Sequence, residues 1–159
     1  VTNGNKSEVS VGYSTLYGDM CGGFSVVKDI YKSDLYRLSE WRNTNLPSLS
    51  KINTLDIIPK NIISKEPTAE LKADQKDSDS LPPYDILDKI LFLLVEKESS
   101  INEIVSQGYD VGVVTKVQNL LYNSEYKRRQ AAPGVKISER NFGYDRRYPI
   151  TNAFRDREN

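Results

Sequence analysis

The sequence contains no histidine and only one cysteine, Cys21. Without imidazole, the chain cannot build a Ser-His or Cys-His hydrolase site or an ordinary zinc site. A single cysteine also excludes an internal disulfide and fits a reducing compartment, so we expect a cytoplasmic protein. The chemistry left to this chain is that of carboxylates, lysines, arginines, hydroxyls and backbone amides.

The chain also lacks net charge and long apolar runs. Its 22 basic and 22 acidic residues balance, so no overall field favours nucleic acid or an anionic membrane. The longest apolar run, Ile90 to Val95, is far shorter than the roughly 20 residues needed to cross a bilayer. We therefore expect a soluble protein that binds neither nucleic acid nor membrane.

Charge is nevertheless segregated along the chain. Residues 66–103 hold ten acidic and four basic side chains, whereas residues 126–159 hold nine basic and four acidic ones. An acidic middle and a basic tail can pair with each other, within one chain or between two copies. The sequence leaves both arrangements open.

Helical patterns dominate a chain whose 159 residues suffice for one domain. The helix from 33 to 42 is expected to turn Leu35 and Leu38 inward. In a later helix that starts near Pro83, apolar residues recur at the spacing of an amphipathic helix. The predicted helices cover residue 7 onward, 33–42, 57–63, 83 onward, 100–108 and 113–127.

Four other regions show no helical pattern. Val1-Thr2 and residues 24–27 are predicted to be strand remnants, residues 64–83 a long acidic surface loop, and residues 133–159 an irregular basic tail. The fold class expected from this pattern is α/β and mostly helical. The opening strand remnant then lies at the edge of a sheet whose other strands are missing.

The segment from Asn3 to Glu8 is a candidate phosphate and metal site. A turn that leads into a helix aims free amides at a phosphate, and Glu8 offers the hard oxygen ligands that Mg2+ prefers. The same six residues also fit a capped helix with a solvated Glu8. From these residues alone, the capped helix is the favoured interpretation.

The segment from Glu125 to Gln130 carries a basic run at a predicted helix end. Arg128 and Arg129 can supply forked donors for a pyrophosphate group. The run can equally complement the negative end of the helix dipole.

Four ordered blocks resemble NAD synthetases of the glutamine-dependent bacterial type, in the carboxyl-terminal half of the synthetase domain. The resemblance implies a partial Rossmann-like adenine nucleotide alpha hydrolase fold, of the N-type ATP pyrophosphatase kind. It also implies that ATP adenylates the nicotinate carboxylate of deamido-NAD and that ammonia, from glutamine in this subfamily, forms the amide. Mg2+ and a homodimer are implied as well. The four blocks are residues 3–8, 14–24, 66–85 and 125–152.

The resemblance assigns five residues. Asn3, Lys32 and Thr68 are expected to bind ATP, and Lys127 is expected to contact deamido-NAD. Glu8 is expected to bind Mg2+. The acidic loop that contains Thr68 is expected to act as a lid that excludes water from the adenylate. No catalytic residue is assigned.

The chain also departs from the family pattern. Residues 1–159 contain no Ser-Gly-Gly-x-Asp-Ser phosphate loop and no nitrilase-like glutaminase. We therefore expect the chain to be inactive alone and its amino-terminal half to be absent or separately encoded. Two alternatives are an inactive remnant and a non-catalytic nucleotide-binding or interaction module.

Overall fold

The computed structural model describes residues 1–65 and 81–157. Within these ranges the chain is mostly helical, and its extended segments meet only through isolated bridges. Residue Thr68 and most of the predicted acidic loop lie outside the described residues. The helices are α1 (Lys6–Val11), α2 (Lys32–Thr44), α3 (Lys60–Ser64), α4 (Tyr84–Val95), α5 (Ile101–Val105), α6 (Val111–Asn123) and α7 (Glu125–Arg128).

The core forms around α4, which packs against α1, α2 and α6. The apolar stripe predicted from its sequence is confirmed, because all four of its residues are buried. α5 and α6 close the other side of this core. The stripe consists of Leu87, Ile90, Leu91 and Leu94, and the residues packed against it include Ile101, Ile104, Val114, Val117 and Leu121.

Local sequence explains where three of the seven described helices begin. Asn5 and Glu8 form a capping box at α1, Ser100 and Glu103 form the predicted one at α5, and Asp110 caps α6. These side chains accept hydrogen bonds from amides that the first helical turn leaves without partners. α1, α5 and α6 thus start at residues that the sequence defines.

Two helices differ from the sequence expectation. Leu38 on α2 does not face inward as predicted, because 47% of its surface is exposed. The helix predicted over 113–127 is interrupted at Ser124, which separates α6 from α7. After the break, the side chains of Lys127 and Arg128 on α7 reach carbonyl oxygens at the end of α1.

The predicted strand remnants meet the segment after α7. Thr2 bridges Ser25, and Ser25 bridges Gly134, in both cases in parallel. The approach at Gly134 is so close that a Cβ atom there would lie 2.2 Å from the carbonyl oxygen of Ser25. Three segments that are distant in sequence are therefore held side by side, and glycine is required at their contact.

The basic tail pairs with the acidic middle within the same chain. Arg146 lies 2.8 Å from Glu98, and Arg140 lies 3.5 Å from the same carboxylate. The amide of Arg140 also donates to Glu96, at 2.8 Å. Of the two arrangements that the charge pattern left open, the intramolecular one is present in the structure.

Candidate functional site

Glu8 and Lys32 form a charge pair at the surface between α1 and α2. The Lys32 ammonium lies 3.0 Å from Glu8 Oε1, and about a fifth of each side chain is exposed, 21% for Lys32 and 19% for Glu8. The rings of Tyr36 and Tyr84 approach the same ammonium, at 5.8 and 5.7 Å. The structure thus brings two of the predicted site residues into direct contact, where a ligand can reach both.

Glu8 has two roles at once in this arrangement. Its Oε2 accepts the Asn5 amide at 3.2 Å, which completes the capping box of α1. The capped helix favoured from the sequence is therefore confirmed, but the solvated Glu8 expected with it is not, because Glu8 pairs with Lys32. Its other oxygen, Oε1, accepts from the Lys32 ammonium, and this contact lies on the partly exposed side of the carboxylate.

A metal at Glu8 would depend on ligands other than protein carboxylates. Among residues 1–65 and 81–157, no group of three or more Asp, Glu or Cys side chains is arranged to hold a metal ion. Mg2+ suits such a place, because it commonly takes only one or two protein carboxylates and completes its shell with phosphate oxygens and water. The single carboxylate of Glu8 fits this mode of binding.

Asn3 is exposed in the turn that precedes α1. This turn lies between the bridge at Thr2 and the cap at Asn5. Thr68, the third predicted ATP residue, lies outside the described residues. Its assignment stays a prediction, as does that of Asn3.

Lys127 lies at the other end of α1 from Glu8. Its ammonium donates to the carbonyl oxygens of Gly12 and Ser14, at 2.7 and 2.8 Å. Gly12 itself ends α1 in the left-handed conformation, with φ of 73°. Lys127 therefore fixes the start of residues 14–24, the second of the four blocks that resemble the family.

The guanidinium of Arg128 is not free to bind a pyrophosphate group, as the sequence predicted it would be. Only 8% of this residue is exposed, and its guanidinium donates to Ser10 O, to Leu121 O and to the Glu125 carboxylate. Burial lowers the pKa of Arg128, although the Glu125 carboxylate opposes this effect. The helix-dipole interpretation of the basic run describes Arg128 better, since its guanidinium binds carbonyl oxygens at the carboxyl ends of α1 and α6.

The loop after α1 closes over a small cavity of about 20 Å³. Thr2, Met20, Ser25 and Ala132 contribute to its lining. Lys28 also lines it and donates to Ala132 O at 2.9 Å, and burial lowers the pKa of this lysine while the nearby Asp29 opposes the shift. The cavity is no larger than a water site, so it carries no substrate in this conformation.

Four buried polar residues in or near α1 were not predicted from the sequence. Asp88 accepts the Ser33 amide and the hydroxyls of Ser7 and Ser33, and Lys6 is enclosed by carboxylates. One feature of the sequence could have indicated Asp88, because this acidic residue directly follows the core residue Leu87 on the apolar side of α4. The missed residues are Lys6, Ser7, Asp29 and Asp88.

Comparison with known proteins connects this geometry to a family. The sequence model of the family described as NAD synthase matches residues 1–131, which include α1, the Glu8–Lys32 pair and Lys127. The chain belongs to the NAD synthase family. The predicted resemblance is thereby confirmed.

Two relatives show how much of a family member this chain represents. It is 53% identical over 155 residues to the glutamine-dependent NAD(+) synthetase of Xylella fastidiosa strain 9a5c. This match covers 98% of this chain and 27% of that protein. It is 51% identical over 156 residues to the corresponding protein of Thermotoga maritima, covering 98% and 26%. The chain spans about a quarter of the length of these relatives.

A solved structure shares the fold of this NAD synthase segment. The crystal structure of a glutamine-dependent NAD(+) synthetase from Cytophaga hutchinsonii superposes with a TM-score of 0.67 at 22% identity, covering 94% of this chain and 24% of that one.

Within residues 1–65 and 81–157, no helix is long and apolar enough to cross a membrane.

Proposed function

We propose that this chain contributes the Glu8, Lys32 and Lys127 side of an NAD(+) synthetase site. The reaction would join ammonia to the nicotinate carboxylate of deamido-NAD, with ATP as the activating substrate and glutamine as the source of ammonia. The observation that carries the proposal is the partly exposed contact between Glu8 and Lys32, 3.0 Å apart. Both residues lie within the stretch that matches the family.

The chemistry explains why such a pair is useful. The carboxylate oxygen of deamido-NAD bonds to the α-phosphorus of ATP, and the bond to pyrophosphate breaks. Ammonia then bonds to the acyl carbon and AMP leaves, with loss of a proton. The negative charge on the phosphates requires cationic partners, and Lys32 would provide one. Glu8 would hold Mg2+, which neutralises phosphate charge when it is bound.

Lys127 would act from the carboxyl end of α1. Its ammonium fixes the turn that opens the segment from 14 to 24, which we propose contacts deamido-NAD. Within this segment, Asp19 Oδ1 accepts the Thr15 amide at 2.6 Å. An ordered loop reduces the entropy lost on substrate binding.

We also propose the wider fold of the domain to which this chain belongs. Parallel bridges join Thr2, Ser25 and Gly134 beside α1, and parallel pairing is typical of sheets covered by helices. These bridges support a Rossmann-like sheet of the adenine nucleotide alpha hydrolase type, to which this chain would add an edge. Self-association as a homodimer stays a prediction.

The activity is tested by joining this chain to the remainder of a relative. The chain would replace the matched 156-residue segment of the Thermotoga maritima protein, and NAD formation from deamido-NAD, ATP and ammonia would be measured. We expect activity in this hybrid, and a loss of about 100-fold for Glu8→Gln and for Lys32→Met. Assay of the chain alone tests the prediction that it is inactive by itself.

Arg37→Met is the matched control. Arg37 lies on α2 as Lys32 does and pairs with Asp34, but 81% of its side chain is exposed. Its substitution should leave NAD formation unchanged. A folded hybrid without synthetase activity, or Glu8 and Lys32 variants as active as the control, would overturn the proposed function.

A further inference from the structure

The amino end of α2 has no cap of its own. Tyr31 precedes the helix and its side chain accepts no amide of the first turn. The acceptors come from two other helices, because the Lys32 amide donates to Ser7 Oγ at 2.9 Å and the Ser33 amide donates to Asp88 Oδ2 at 2.8 Å. α1 and α4 thus supply the hydrogen bonds that α2 lacks.

The direction of these bonds requires an acceptor at Asp88. Ser7 Oγ accepts from Lys32, so its own hydrogen is donated to Asp88 Oδ1. The Ser33 hydroxyl donates to Asp88 Oδ2 at 2.6 Å, next to the bond from the Ser33 amide. An ionised carboxylate accepts all three bonds, whereas a carboxamide has a single acceptor oxygen and could accept from Ser33 or from Ser7, not from both.

The same bonds set the separation of the exposed charge pair. Ser7 immediately precedes Glu8 on α1, and Ser33 immediately follows Lys32 on α2. An ammonium in the first turn of a helix is disfavoured by the helix dipole, so Lys32 is held there by other interactions. Asp88 bonds to both neighbours of the pair and therefore fixes α1 and α2 relative to each other.

Burial makes this carboxylate costly to keep. Asp88 is 6% exposed and follows Leu87 in the core. Burial raises its pKa, and the hydrogen bonds from Ser33 and Ser7 oppose that shift. If α4 needed only packing at this position, an apolar residue of similar volume would serve without a desolvation cost.

We propose that Asp88 is a positioning residue, which holds the Lys32 ammonium opposite Glu8 through its bonds to Ser7 and Ser33. Lys32 in turn is presented to the phosphates of ATP. This second step rests on the proposed function, whereas the first concerns the geometry of this chain alone.

The geometric step is tested on this chain by amide hydrogen exchange and by NMR of the Lys32 ammonium. In Asp88→Asn we expect the amides of Lys32 and Ser33 to exchange about tenfold faster or more, and the ammonium signal to shift as its contact with Glu8 loosens. Asp85→Asn is the matched control, because Asp85 lies in the first turn of the same helix but is exposed. It should change neither measurement.

A milder variant keeps the test valid if Asp88→Asn does not fold. Ser7→Ala removes the acceptor of the Lys32 amide but leaves both bonds from Ser33 to Asp88 in place. Exchange should then rise at Lys32 and not at Ser33. Unchanged exchange at Lys32 in folded Ser7→Ala, or at both amides in folded Asp88→Asn, overturns the positioning role.

The functional step is tested in the hybrid enzyme described above. Asp88→Asn should raise the KM for ATP about tenfold and change the KM for deamido-NAD less than about twofold. A purely structural role would instead lower the amount of active enzyme and leave both KM values unchanged, which would overturn the link to ATP. If the unaltered hybrid forms no NAD, the proposed function fails, while the exchange measurements still decide the role of Asp88.

Discussion

Replacing Lys6 with methionine should be among the most destabilising substitutions in this chain. The Lys6 side chain is fully buried, and its ammonium contacts the Glu96 carboxylate and lies 3.0 Å from Asp29 Oδ1. It also donates to Ser138 Oγ at 2.6 Å and to Arg140 O at 2.8 Å. Methionine has a similar length but no charge and no donor, so two buried carboxylates would lose their shared cation.

The expected cost follows from the burial of these partners. Removing one member of a buried ion pair leaves an uncompensated charge and costs about 3–5 kcal/mol of the free energy of unfolding. Asp29 and Glu96 are only 3% and 6% exposed, so solvent compensates little of this loss. Since a domain of this kind is stable by about 5–15 kcal/mol in total, the substitution removes a large fraction of its stability.

Urea denaturation, monitored by far-UV circular dichroism, measures this loss as a decrease in the urea concentration at the midpoint of unfolding. Arg37→Met is the comparison variant, because its pair with Asp34 is largely exposed and should contribute nothing measurable. A Lys6→Met midpoint equal to that of Arg37→Met would refute the reasoning. Adding Asp29→Asn and Glu96→Gln to Lys6→Met should recover part of the stability, since no unpaired charge then remains.

Three further predictions follow from other contacts. Gly134→Ala should destabilise the chain by about 1–3 kcal/mol in urea denaturation, because the added Cβ would lie 2.2 Å from the backbone oxygen of Ser25. Gly23→Ala, with no atom within 4 Å of its Cβ, should leave the midpoint unchanged. Burial alone would raise the pKa of Asp29, but hydrogen bonds from the tail and the charge of Lys6 hold it below its ordinary 3.8. Stability should therefore fall as the pH drops below about 3.8, and Asp29→Asn should flatten that dependence. Lys127→Met should accelerate amide exchange in the turn after α1, because its ammonium binds two carbonyl oxygens there, and unchanged exchange would contradict that role.

Local patterns in the sequence were sufficient for most helices. The apolar spacing of α4 and the Ser100–Glu103 capping box involve residues within two turns of one another, and both were predicted correctly. Such patterns depend on the geometry of a single helix, which is nearly the same in every fold. Leu38 was misplaced for the same reason, because the spacing of α2 does not show whether another element covers that face.

Contacts across the chain could not be predicted from spacing. Asp88 bonds to Ser7, 81 residues away, and Lys6 bonds to Glu96, 90 residues away. Neither of these separations along the sequence corresponds to a helical or strand period. The groups are brought together by the packing of α1 against α4. The family resemblance identified the segment from Asn3 to Glu8 as important without distinguishing the roles of its members.

The structure makes that distinction, because the side chains of this segment have different partners. Lys6 is enclosed by the carboxylates and the tail, and Ser7 links α2 to Asp88. α1 has only six residues and is too short to be stable alone, so these contacts hold it in place. Only Glu8 and the exposed Asn3 retain access to a ligand. Substitutions at Lys6 should therefore act on folding, those at Ser7 on the placement of Lys32, and those at Glu8 on nucleotide binding.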